Sequence, residues 1–167
     1  MFNKKFSKRA GATKGFTLVE LLIVIAIIAI IAAVVFVSLD PLTRFKDARD
    51  SNRWSDVSSI LSAIKIDQVD NKGPYLDTIN TNGVTYMIGT ATAGCDTDCS
   101  LMSSSTACVD LTGLVTQGYL GEVPVSPNEI GSWSSSLTGY TLTASSTGII
   151  TIQSCEVGNA TSISVSR

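Results

Sequence analysis

The chain has 167 residues and a formal net charge of −2, from 12 basic and 14 acidic side chains. That length accommodates one small domain and a long helix. It holds no histidine, which removes the commonest general base and the commonest metal ligand and weighs against an enzyme.

The charge is unevenly placed. Lys4, Lys5, Lys8, Arg9 and Lys14 fall in residues 1–15, which hold no acid, so the rest of the chain carries seven bases against fourteen acids, a net −7. Beyond Lys72, seven acids (Asp77, Asp96, Asp98, Asp110, Glu122, Glu129 and Glu156) face a single base, Arg167. An acidic region of this kind has no field to attract nucleic acid, and no direct nucleic-acid partner is expected.

After the basic residues comes GFTLVELLIVIAIIAIIAAVVFVSL, residues 15–39, in which only Ser38 is not apolar from Leu21 onward. A helix over Leu21–Leu39 covers about 28 Å, close to the ~30 Å hydrocarbon core of a bilayer. Residues 16–39 therefore read as a transmembrane helix, with the basic leader held in the cytoplasm and the remainder outside. A secretory signal peptide is also basic then apolar. Its apolar region is shorter, though, and it ends in a small-residue cleavage site that this run lacks. Glu20, a carboxylate at the membrane edge, is costly there and needs a role.

The basic leader, Lys14-Gly15, Phe16-Thr17-Leu18-Val19-Glu20 and the long apolar helix together closely resemble the prepilin leader of type IV pilins and type II secretion pseudopilins. The rest of the chain resembles that family more loosely. The resemblance implies an α+β fold in which a long N-terminal helix, transmembrane then amphipathic, packs on a small antiparallel β-sheet head. It implies cleavage after Gly15 by a prepilin peptidase, methylation of the new N-terminus at Phe16, and an assembly role for Glu20. The implied partners are further copies of the chain in a homo-oligomeric filament, the pilus assembly machinery and the membrane; no catalytic residue and no cofactor are implied. The expected function is that of a structural subunit of a type IV pilus or pilus-like filament; the alternatives are a pseudopilin of a type II secretion or competence system and, from another class, a membrane-tethered binding module that never polymerises, which would gain nothing from Glu20.

Four segments are expected: a leader at 1–15, the membrane helix at 16–39, an amphipathic helix at 40–72 and a β-rich head at 73–167. In the third, Trp54, Val57, Leu61 and Ile64 recur at three- and four-residue steps with Ile60 beside them, so all five are expected to face the core. At Asp40-Pro41 either the helix kinks or breaks briefly just before the proline, or Asp40 caps a separate helix that Pro41 begins. Lys72-Gly73-Pro74 should end it. In the head, strands are expected at 84–88, 140–144, 149–153 and 162–165, the middle pair joined as a hairpin by a Ser-Ser-Thr-Gly turn, with a short helix at 109–117. Residues 114–127 resemble the stretch that pseudopilins place ahead of their sheet.

Cys95, Cys99, Cys108 and Cys155 lie on the predicted outer side, where disulfides form. Three pairings are possible; the expected one joins Cys95 to Cys99 and staples Cys108 to Cys155. The spacings lack the short paired arms of a zinc site. Asp96 and Asp98 carry oxygens suited to calcium, with a solvated acidic turn as the simpler reading. Some major pseudopilins hold calcium in a loop comparable to residues 127–133, but no aspartate-led series occurs there, so no metal residue is carried over. Asn159-Ala160-Thr161 satisfies the short glycosylation sequon, a pattern that arises by chance.

Overall fold

The computed structural model describes residues 15–72, 83–95, 99–102 and 108–167. Residues 1–14, Gly73, Pro74, Asp96 and Asp98, and the expectations that fall on them, lie outside the described residues. The chain divides into two units, Met1–Pro41 and Leu42–Arg167.

In the first unit, helix α1 runs over Leu18–Leu39 with no buried residue. Its residues are apolar on every side, so no face is singled out for a core. At about 1.5 Å per residue its length reaches about 33 Å, and it is long and apolar enough to cross a membrane. It stops where Asp40 turns left-handed, at φ 38° and ψ 73°. Helix α2, Pro41–Asn71, begins at the next residue. A one-residue break therefore falls just before Pro41, and Pro41 opens the second helix, while Asp40 itself is the C-cap of α1.

In the second unit α2 buries Val57, Ile60, Leu61 and Ile64 in the main core, as the periodicity predicts, and Ala63 beside them. Trp54 departs from it: the ring is 42% exposed, and the inward position beside it belongs to Arg53, which is 0% exposed. The helix ends at Asn71, and Lys72 takes the left-handed conformation, φ 58°, expected of the following glycine.

Four strands, β1 (Thr85–Met87), β2 (Tyr140–Ala144), β3 (Ile150–Ser154) and β4 (Ser164–Ser166), form an antiparallel sheet in that order. Side chains alternate between faces, so register decides which row is buried. Tyr86, Leu142, Ile152 and Val165 stand opposite one another and pack with the α2 face. The next row is Thr85, Thr143, Thr151 and Ser166, whose hydroxyls pair across strands at 2.9 Å on both outer steps. The β2–β3 turn closes at Gly148, where φ is 82° and a side chain would be strained. Helix α3 is shorter than expected, Thr112–Thr116, because Val109 is drawn into a bridge with Ile88 and Asp110 accepts the Thr112 amide at 2.8 Å. A second small core, Met87, Cys95, Cys99 and Trp133, covers one end of the opposite sheet face.

Candidate functional site

The N-terminal motif starts at Gly15, which the fold does not require to be glycine: a Cβ there would meet no atom within 4 Å, and its φ is not positive. Phe16 is 81% exposed. Thr17 is the N-cap of α1, and its hydroxyl accepts the Glu20 amide at 3.2 Å. In return the Glu20 carboxylate accepts from the Thr17 amide at 3.3 Å and from its hydroxyl at 3.0 Å. This reciprocal capping box satisfies donors that a helix start otherwise leaves open, and places a negative charge at the positive end of the helix dipole. Thr17 was missed from sequence, although threonine followed three residues later by glutamate, ahead of an apolar run, is the legible signature of such a box.

All four cysteines are in disulfides, but not in the expected pairs. Cys95 joins Cys108, and Cys99 joins Cys155. The reason is strand geometry. The Ile88–Val109 bridge and the Cys108 amide bonded to the Ala91 carbonyl at 3.1 Å lay Cys108 beside the segment that carries Cys95. Cys155, just past β3, then meets Cys99 in the second core.

The head's other polar centre is built on α2. Arg53 donates to Asp50 at 2.9 Å, the Pro127 carbonyl at 2.9 Å, Ser126 at 3.1 Å and Glu156 at 3.3 Å, with Glu129 at 3.7 Å. Asp50 in turn accepts the amides of Gly158, Asn159 and Ala160 at 2.7, 2.8 and 2.9 Å. Burial pushes the Asp50 carboxyl up, but these three amides and Arg53 outweigh it and hold it below its ordinary value. Glu156 accepts the amides of Ile130 and Gly131. One helix face thus ties down both the 126–131 segment and the turn after β3. Residues 127–133, the stretch compared with a calcium loop, are held by Arg53, Arg49 and Glu156. Asn159 of the sequon donates to the Thr43 carbonyl at 3.1 Å and to Asp47 at 2.8 Å, so its amide nitrogen is engaged. Tyr140 donates to Asp56 at 2.5 Å. Burial raises both groups; Asp56 pushes the phenol further up, while the phenol's hydrogen bond pulls the carboxyl back.

The geometry is that of a membrane-anchoring α1 with a capped, accessible start, and of an α2 packed on a four-stranded sheet: an α+β, pilin-like architecture. Residues 12–36 match the family model described as the prokaryotic N-terminal methylation motif, the signature of type IV pilins and pseudopilins. No curated protein and no solved structure matches the chain.

Proposed function

We propose that the chain is a structural subunit of a type IV pilus or pilus-like filament, and not an enzyme. The observation that carries this reading is a methylation motif laid over a helix with no buried residue. A prepilin peptidase cuts after Gly15 and methylates the amine of Phe16. Until assembly the subunit is a single-pass membrane protein with its leader in the cytoplasm and its head outside, where the two disulfides fit an oxidising compartment. The assembly machinery then moves α1 from lipid into contact with the α1 helices of other copies. Lipid is as apolar as leucine, so this exchange lacks a water-driven hydrophobic gain and depends on packing and polar contacts. Glu20 supplies such a contact by pairing with the Phe16 amine of a neighbouring subunit, and the assembled heads lie outside the cell. A pilus is preferred over a secretion pseudopilus because the head is cross-linked by disulfides and residues 127–133 lack an aspartate-led ligand series.

One observation favours a second reading, the tethered binding module. The capping box gives Glu20 a task within a single helix, so the carboxylate alone no longer implies polymerisation. Intact-mass measurement of the membrane form and of sheared surface material tests the proposal. The expected species begins at a methylated Phe16 and is found in both fractions. A chain that retains residues 1–15, or one cut near Asp40, removes the prepilin reading; a processed chain found in the membrane alone supports the module.

A further inference from the structure

At the C-terminal end of α2, negative features gather with no ion pair among the described residues. Asp67 is 0% exposed, and its Oδ2 has no hydrogen-bond partner. Its Oδ1 shares the Asn71 side-chain nitrogen, at 2.8 Å, with the Gln117 amide oxygen at 2.7 Å and the Tyr119 hydroxyl at 3.2 Å. An amide nitrogen has two protons, so three oxygens compete for them. The Tyr119 proton goes to Asp70, whose Oδ2 lies 3.2 Å away. The last turn of α2, where the helix dipole is negative and a base is favourable, contains none. Among the described residues no ion pair reaches Asp67 or Asp70, and residues 73–166 contain no lysine or arginine. A buried carboxylate oxygen with neither donor nor counter-charge is costly.

We propose that this cluster is a cation site, taking a divalent hard ion of the calcium type through Asp67, Asp70 and the Gln117 amide oxygen. Among the described residues no group of three or more acid, cysteine or histidine side chains stands in position for a metal. This cluster has two carboxylates, and its remaining donors are neutral oxygens. Such a set suits calcium, which accepts irregular oxygen coordination, better than magnesium, which demands a near-octahedral shell. Gln117 already turns its amide oxygen toward the cluster and Asn71 its nitrogen, so a flip of the Asn71 amide supplies a further oxygen. A modest ligand charge places the affinity in the range of extracellular modules, about 10⁻⁴–10⁻³ M. The site lies apart from the N-terminal motif, and the inference does not depend on how the chain assembles.

The test is calcium titration of the full chain in detergent after chelator treatment, read by calorimetry and by thermal melting. The expected result is saturable binding, with a melting temperature about 5 °C higher at ten times Kd. Asp70→Asn, at an exposed position, weakens binding several-fold, and Asp67→Asn abolishes it. Asp110→Asn, outside the cluster, leaves it unchanged, and magnesium at equal concentration gives less than half the shift. Should Asp67→Asn fail to fold, Gln117→Lys replaces it: an ammonium group delivered to the cluster raises the melting temperature in chelator and removes the calcium response. Absence of a calcium response up to roughly 10 mM, beyond the weakest range above, overturns the proposal. So does a response that survives both Asp70→Asn and Gln117→Lys.

Discussion

The two long helices solve opposite problems. Helix α1 is apolar on every side and buries nothing, whereas α2 is polar on average and yet buries eight residues, three of them charged: Asp50, Arg53 and Asp67. Apolar sequence is therefore no guide here to which helix makes the core. The surface of α1 is apolar between Glu20 at its start and Ser38 in its last turn, and none of it is buried. The surface of α2 is matched to its own head, where Arg53 and Asp50 fix which loops lie against it. Breaking one helix's logic should leave the other's readout intact, and that is the test of the division.

The largest effect is expected at Arg53. Arg53→Ala leaves Asp50, Glu129 and Glu156 close together and short of their cation, and removing one partner of a buried ionic cluster costs about 3–5 kcal/mol. Chemical denaturation of the head should show this loss, while membrane insertion and removal of the leader, which depend on the N-terminal unit, stay unchanged. If the loss is under about 1 kcal/mol, the cluster is a solvated surface pair in all but geometry.

Next come the disulfides, and they should differ. On the chain-entropy account, closing the 56-residue separation between Cys99 and Cys155 contributes about 4 kcal/mol, and the 13-residue separation between Cys95 and Cys108 about 3 kcal/mol. Serine replacement of each pair, followed by thermal melts, should rank them in that order. Equal losses would place the effect in the packing of the Met87–Trp133 core that both disulfides border.

A smaller effect follows from Asp50. Its folded carboxyl is held below the ordinary value, so its contribution is complete above the unfolded pKa of about 3.9 and is lost as pH falls through the folded value. Asp56, raised by burial, has the opposite sign: its proton is held more tightly in the folded state, which favours folding at low pH and ceases to do so as pH rises through its folded value. Asp50→Asn should lower neutral-pH stability by about 1–2 kcal/mol and flatten the acid limb of the stability curve. An unchanged acid limb would assign that limb to other carboxylates.

Much of this fold is legible in the residues. The alternation in Tyr140–Ala144 and Ile150–Ser154 around a Gly-ended turn writes the hairpin, and the unbroken apolar run writes α1, because both are local patterns with a fixed period. The ionic centre is not legible. Arg53 lies next to Trp54, and periodicity favoured the indole; the guanidinium is inside only because Ser126, Pro127 and Glu156, from 73 to 103 residues away, arrive to accept its protons. The disulfide partners were missed for the same reason. Cys95 and Cys99 are near in sequence, but the Ile88–Val109 bridge, a non-local contact, decides which thiols meet. At the N-terminal motif Gly15, Phe16 and Glu20 stand out by residue type, while Thr17 is legible only through its three-residue spacing to Glu20, the mark of a capping box.

The smallest change in stability, and the sharpest test of what α1 is for, comes from separating the two tasks open to Glu20. Thr17→Val removes the hydroxyl that accepts the Glu20 amide but keeps the carboxylate, and losing such a cap costs a helix about 1 kcal/mol. Glu20→Ala removes the carboxylate and spares the threonine. If Glu20 acts only as a cap, each variant loses one half of the same box, and the two should be similarly mild in filament count. If it also pairs with a neighbour's Phe16 amine, they diverge: both insert in the membrane at normal levels, Thr17→Val retains most of its filaments, and Glu20→Ala loses at least nine-tenths of them, a tenfold change equivalent to about 1.4 kcal/mol per contact. Glu20→Gln, which keeps a hydrogen-bonding oxygen without the charge, should fall with Glu20→Ala in filament count and with wild type in helix stability. Counting filaments by electron microscopy beside cell fractionation of the three variants reads this directly. Equal filament numbers in Thr17→Val and Glu20→Ala would make the capping box the whole explanation of the carboxylate and would move the balance to the tethered module.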